Sequence, residues 1–323
     1  LSPFSEKVRT TLGLKGLSWH AVEVAPLPPR PLLAALTGGY RRIPVLQIGA
    51  DVYCDTNLIL PALERLNPDP SIYPNGCEGL ARGLAFAWER AMWIPTIGAL
   101  VHFIGDALPP EFIKDRKEAY LGIDISKAAM APDLPRHRQA LFAQYGWLRQ
   151  ALAAANARGH AFLFGDTPSV LDLACWQTTF LLRANCPPQV VEFAGLSGLD
   201  AWYERIAGIG HGDFIPMTPG QALSEAGWHQ PAPVNHLPPD GDPSMPKPGS
   251  AVTVTPDDNA RVPVAGTLVA ATDTEVVIRR EDPQAGTLHV HFPRPGFDVL
   301  PARIPSTDRS TEHEPRSEQA ALS

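Results

Sequence analysis

No stretch constrains the fold of this chain more than Arg41 to Thr56, Arg-Arg-Ile-Pro-Val-Leu-Gln-Ile-Gly-Ala-Asp-Val-Tyr-Cys-Asp-Thr. Pro44 to Ile48 is a short apolar run of strand length. Gly49, Ala50 and Asp51 supply a tight turn and Val52 to Cys54 a returning strand, so the pair reads as a hairpin. Asp55 and Thr56 then stand at the mouth of a helix expected over Asn57 to Leu66, where the first backbone N–H groups have no helical partner. Pro44 has no N–H and suits only the start or edge of a strand. It is also a candidate cis peptide, which would turn the N–H and C=O of Ile43 out of the sheet towards a ligand. A small extended peptide fits such a corner. Ile43 would pair with its backbone, and Asp55 and Thr56 would hold an ammonium and a carboxylate at its end.

The first residues supply a place for chemistry. Ser2-Pro3-Phe4-Ser5-Glu6-Lys7-Val8-Arg9 opens a helix expected to run to about Lys15 and stop at Gly16. Ser2 is the N-cap and Pro3 takes the first helical position. Val8, Leu12 and Leu14 form a partial apolar face, with Arg9 and Lys15 outside it. A thiolate at this N-terminus would feel the helix dipole and the Ser2 hydroxyl, which together lower a thiol pKa from its usual value of about 8.5.

These motifs, Ser2-Pro3-Phe4-Ser5-x-Lys7-Val8-Arg9, Arg42-Ile43-Pro44-Val45-Leu46 and Asp55-Thr56-x-x-Ile59, resemble the N-terminal domain of a glutathione transferase. The resemblance implies an α/β thioredoxin-like domain that binds glutathione as co-substrate, followed by an all-helical domain; the alternatives to an enzyme are a non-catalytic binding or regulatory protein of the same fold and a carrier of hydrophobic ligands. It places the catalytic residue at Ser2; Ser5, at the third helical position, is the alternative that its place in the helix offers. The resemblance gives glutathione contacts to Ile43 (before the cis-proline Pro44) and to Asp55 and Thr56 at the γ-glutamyl end; Arg42, next to them, is a candidate for the glycyl carboxylate. It also implies a homodimer. Asp-Thr departs from the more usual Glu-Ser by a shorter arm and an added methyl. The family's first strand should precede Ser2 and is absent, so an N-terminally clipped chain is expected. No cysteine occupies the position of Ser2, which disfavours chemistry through a mixed disulfide.

The 323 residues allow two or three domains, and 44% hydrophobic with 19% charged residues is normal for a folded protein. A net charge of −7 argues against nucleic acid and anionic membrane as partners. No apolar run reaches the roughly 18 residues of a membrane helix. Cys54, Cys77, Cys175 and Cys186 show no C-x-x-C or regular spacing, the pattern of a reduced, cytoplasmic protein.

Along the chain, Leu17 to Val24 is an expected strand and Pro31 to Leu36 a short helix, after which Thr37-Gly38-Gly39 delivers Tyr40, Arg41 and Arg42 to the site. The expected divisions are a thioredoxin-like domain over 1–67, a helical domain over 77–215, a Pro-rich linker over 216–248, a small all-β barrel or sandwich over 249–304, and a disordered tail over 305–323. Within the helical part, Leu80 to Asp106 is expected to kink or break at Pro95 and Arg136 to Arg158 to be a second long helix. Ser169 and Asp172 form a capping box before an apolar helix, a structural device rather than a catalytic one.

Several residues carry two readings. Ser2 caps its helix and is also the candidate hydrogen-bond donor to the glutathione thiolate. Arg42 reaches either a carboxylate or solvent. Trp88, Trp93 and His102 line a pocket for a small electrophilic substrate, or belong to the helical core. Cys54 reads as a small buried residue. His289 and His291 alternate onto one strand face, but with no nearby cysteine and no third ligand evident no metal is expected.

Overall fold

The structure is a computed structural model that describes residues 2–234 and 241–302. Its helices are α1 (Pro3–Leu14), α2 (Pro31–Thr37), α3 (Thr56–Leu66), α4 (Glu78–Ile104), α5 (Pro110–Asp115), α6 (Lys127–Met130), α7 (Leu134–Asn156), α8 (Val170–Asn185), α9 (Val190–Phe193), α10 (Asp200–Ala207) and α11 (Pro219–Trp228). Its strands are β1 (Trp19–Val22), β2 (Val45–Ile48), β3 (Asp51–Cys54), β4 (Phe214–Met217), β5 (Ala251–Pro256), β6 (Val264–Ala271), β7 (Glu275–Asp282), β8 (Gly286–Pro293) and β9 (Phe297–Pro301).

The helical bundle forms around α8, whose N-terminus is built as its sequence predicts. Ser169 Oγ accepts the Asp172 N–H at 3.2 Å while Asp172 Oδ2 accepts the Ser169 N–H at 2.9 Å. The same carboxylate takes the Leu163 N–H and the Trp202 indole N–H, tying the preceding loop and α10 to α8. Buried Leu60, Met92, Leu141, Tyr145, Leu173 and Trp176 share one core contributed by α3, α4, α7 and α8. Pro95 neither breaks nor ends α4, which runs unbroken through it. At Gly98 this helix meets α7 so closely that an added Cβ would lie 2.4 Å from the His137 ring.

The strands are arranged differently from the expectation. β2 and β3 form the predicted antiparallel hairpin, Val45 opposite Cys54 and Ile48 opposite Asp51. β3 then pairs in parallel with β8, so the hairpin is the end of a seven-stranded sheet in the order β2-β3-β8-β7-β6-β5-β9. The C-terminal β region is therefore an open extension of that sheet and not a closed barrel or a detached sandwich. Its core is shared too: Tyr40 and Cys54 pack with Val254, Val276, Ile278 and Phe292. The reason lies in the exposed ladder of β3, whose free N–H and C=O groups are a template for any strand that can reach them. β1 lies in a second sheet, in parallel register with β4.

Two further expectations are corrected. The segment 216–248 opens with the end of β4 and with α11, itself started by a Thr218–Gln221 capping box, so its first part is structured. Lys15 is not on an exposed face. It is 1% exposed, with its ammonium on Glu64 and on the Pro70 carbonyl, the latter at 2.7 Å. The tail expected over 305–323 lies outside the described residues.

Candidate functional site

A cavity of about 310 Å³ opens at the corner where β3 turns into α3. Arg42, Ile43, Pro44, Asp55, Thr56 and Asn57 line it on the thioredoxin-like side, so the residues expected to contact glutathione lie on one cavity. The Ile43–Pro44 peptide is cis. Among the described residues, neither the N–H nor the C=O of Ile43 is hydrogen bonded, which leaves one peptide edge open to the cavity.

Asp55 is held in a backbone conformation that residues with a side chain seldom adopt, φ 71° and ψ 139°. Such a conformation costs on the order of 1–3 kcal/mol and persists where the surroundings enforce it, most often at ligand sites. Its carboxylate caps α3 by accepting the Asn57 N–H at 2.9 Å and the Asn57 side-chain N–H at 3.1 Å. Arg42 lies 3.6 Å from the same carboxylate.

The opposite wall comes from elements far away in sequence. α4 contributes Glu89 and Trp93, and the Trp93 indole packs on Phe4 with ring centres 5.0 Å apart. Glu89 is the centre of a buried polar network. It pairs with Lys7, accepts the Gln177 amide N–H at 2.7 Å, and lies 3.4 Å from the Asn57 amide that Asp55 also holds. Lys7 is 1% exposed, so the lysine of the first motif anchors the site to the helical bundle.

The C-terminal strands roof the cavity. Asp258, Asn259 and Phe297 line it, and Arg42 donates to the Asn259 carbonyl at 3.1 Å and pairs with Asp258. Burial works against the Arg42 charge, but Tyr40, Asp55 and Asp258 outweigh it and hold the guanidinium protonated more firmly than usual. Tyr40 also lines the cavity, is 2% exposed, and its hydroxyl has no hydrogen-bond partner among the described residues. Burial and the nearby Asp55 push that phenol well above the ordinary tyrosine range, so it stays a donor.

The remaining candidates divide. Ser2 caps α1, accepting the Ser5 N–H at 3.3 Å, and neither serine is part of the cavity lining. Of the three expected electrophile-pocket residues only Trp93 faces the cavity. Trp88 is in the helical core with its indole N–H on Thr178 Oγ1 at 3.3 Å, and His102 is stacked on Phe193 with ring centres 5.0 Å apart. Cys54 is fully buried, and burial pushes its thiol well up, so it is no redox switch. For His289 and His291 the structure supplies the third donor that the sequence did not reveal, Asp51 of β3. Motif reading also missed Glu89, Tyr120, Asp258, Asn259 and Phe297, none of which lies in a local pattern that marks it.

Comparison with known proteins matches two regions of the chain to one family. Residues 1–71 match the family described as glutathione S-transferase, N-terminal domain, and residues 131–205 match glutathione S-transferase, C-terminal domain. A GST-like protein from Pseudomonas syringae is 33% identical, covering 93% of this chain and 96% of its own, with a TM-score of 0.74. This chain belongs to the glutathione S-transferase family. The 93% coverage leaves fewer unmatched residues than β5 to β9 contain, so the Pseudomonas relative shares C-terminal strands with it. A glutathione transferase from Phanerochaete chrysosporium, 19% identical with a TM-score of 0.51, matches 66% of this chain and is similar in fold. A probable glutathione S-transferase from Solanum tuberosum is 30% identical over 119 residues. The chain spans about half the length of that curated relative, 53%. No helix among the described residues is long and apolar enough to cross a membrane.

Proposed function

We propose that this glutathione S-transferase family member binds glutathione at the β3–α3 corner and directs its thiol at a small electrophilic carbon or a peroxide. The observation that carries this reading is the pairing of two features on one cavity. Asp55, strained at the start of α3, offers a carboxylate beside the positive end of that helix, and Ile43 offers an open peptide edge. The first suits an ammonium and carboxylate on one carbon, the second an amide backbone, and a γ-glutamyl tripeptide presents both. Only the thiolate is a good nucleophile, so the protein's part is to lower the thiol pKa and to aim it. Ser2, at the α1 N-terminus, is the group that the family resemblance assigns to that task. The same reading takes the protein as a cytoplasmic homodimer.

One observation favours a second reading, glutathione binding without turnover: the Ser2 hydroxyl is engaged as a helix cap and does not line the cavity. Calorimetry with glutathione on the wild type and on Asp55→Asn tests the site, because asparagine keeps the cap and removes the charge. Binding in the micromolar to millimolar range, roughly −4 to −8 kcal/mol, is expected. The variant should bind at least about tenfold more weakly, in line with one charge-assisted contact. Absence of binding to the folded wild type overturns the proposal. Turnover of an aryl halide that falls in Ser2→Ala supports the enzyme, and binding with no turnover supports the second reading.

A further inference from the structure

Where β3 and β8 run side by side, Asp51 stands opposite His289 in register and Tyr53 opposite His291. One donor atom each from Asp51, His289 and His291 lies within 4.8 Å of the others. His291 Nε2 is 3.0 Å from Asp51 Oδ1, and His289 Nδ1 is 3.6 Å from the same oxygen. Donors on a tetrahedral zinc ion, each about 2.0–2.1 Å from the metal, stand about 3.3 Å apart, between these two separations.

The groups behind the three donors are fixed as metal ligands usually are. His291 Nδ1 meets Glu275 Oε1 at 2.7 Å, which turns Nε2 towards Asp51. The other Asp51 oxygen accepts the Ala232 N–H at 2.8 Å, leaving Oδ1 for the centre. Tyr53 stacks on the His291 ring at 4.3 Å and holds its plane.

An ion network alone accounts for His291, both of whose nitrogens meet carboxylates, but not for His289. Its Nδ1 is buried and has no hydrogen-bond partner among the described residues, since 3.6 Å to Asp51 is too long for one. A buried nitrogen aimed at a carboxylate and a second imidazole, without a bond to either, has the surroundings of a metal ligand. The His289 side chain is 12% exposed, which leaves a way in from solvent and room for a water as fourth ligand.

We propose that Asp51, His289 and His291 bind one divalent transition-metal ion of the zinc type, clamping β8 onto β3. Two imidazoles and one carboxylate suit zinc and its neighbours, and two nitrogen donors argue against calcium or magnesium. The clamp joins the thioredoxin-like hairpin to the C-terminal sheet at one end of β3, the strand whose other end leads into Asp55. The inference does not draw on the glutathione reading.

The test uses the full chain, stripped with a chelator and titrated with zinc by calorimetry and with cobalt by visible absorption and proton NMR. One ion per chain, the ligand-field bands of four-coordinate cobalt, and two histidine ring N–H signals shifted by the cobalt are expected. His289→Ala is the informative variant, because no hydrogen bond among the described residues reaches the lost Nδ1. It should bind zinc at least about a hundredfold more weakly and lose one of the two shifted signals. The inference is overturned by a folded wild type that takes up no zinc or cobalt, by a bound cobalt that shifts no histidine signal, or by undiminished affinity in His289→Ala. The wild-type measurements decide the matter even if the variant does not fold.

Discussion

Replacing Asp172 by alanine should unsettle the helical domain more than any other single truncation at its surface or caps. The side chain is fully buried and receives four hydrogen bonds: Ser169 N–H at 2.9 Å, Ser169 Oγ–H at 2.6 Å, Leu163 N–H at 3.2 Å and Trp202 Nε1–H at 3.0 Å. The Ser169 hydroxyl can rotate to another acceptor, but the other three donors are fixed by backbone or ring. Each buried donor left unpaired costs about 1–3 kcal/mol, and losing half of a capping box adds about 1 kcal/mol. Because neighbouring losses share one relaxation, the total should be about 3–5 kcal/mol rather than the full sum. That is a large part of the 5–15 kcal/mol typical of a folded domain. Urea unfolding followed by circular dichroism and tryptophan fluorescence measures it, with an unchanged m-value showing that stability alone has moved. Ser169→Ala, which keeps the carboxylate and its bonds to Leu163 and Trp202, should cost only about 1–2 kcal/mol. A loss below about 1 kcal/mol in Asp172→Ala, or equal losses in the two variants, would refute this account of the box as the junction of α8, α10 and the loop before them.

Tyr145 gives a pH dependence of definite sign. Burial pushes its phenol up to about 12, against about 10 in an unfolded chain. Its contribution is therefore complete below pH 10 and is lost as pH rises from 10 towards 12, because the unfolded state ionises first. Urea midpoints over that window should fall less steeply in Tyr145→Phe than in the wild type, and parallel slopes would count against it. Phe297→Ala tests the roof of the cavity. Phe297 is 5% exposed, with ring centres 5.4 Å from Phe292 and 6.2 Å from Tyr40, so its removal should cost about 3 kcal/mol by thermal or urea unfolding. A variant as stable as the wild type would mean that the C-terminal strands contribute little to the wall they form.

How much of this was legible in the sequence depends on how far apart the interacting residues lie. Ser2 before Pro3, Ser169 three residues before Asp172, and the Ile48–Asp51 turn act within a few residues, and each appears in the structure where the local chemistry puts it. The all-β character of residues 249–304 was legible for the same reason, because strand alternation is a local period. Pro95 marks the limit of local rules, since it lies inside α4, a helix packed against both α7 and α8. Lys7 and Lys15 could not be read as buried because their partners Glu89 and Glu64 are distant in the chain.

The sequence by itself determined the β2–β3 hairpin, the helices α1, α3 and α8 and the caps at Ser2 and Ser169, because those depend on bonds between near neighbours and on side-chain period. Only the tertiary structure decided which strand β3 would pair with, that the C-terminal sheet roofs the Asp55 cavity, and that Asp51 meets His289 and His291. Alternation tells a strand which of its faces is buried but does not name the edge it will join. That choice is made by long-range contacts whose free energy appears only when the chain is folded.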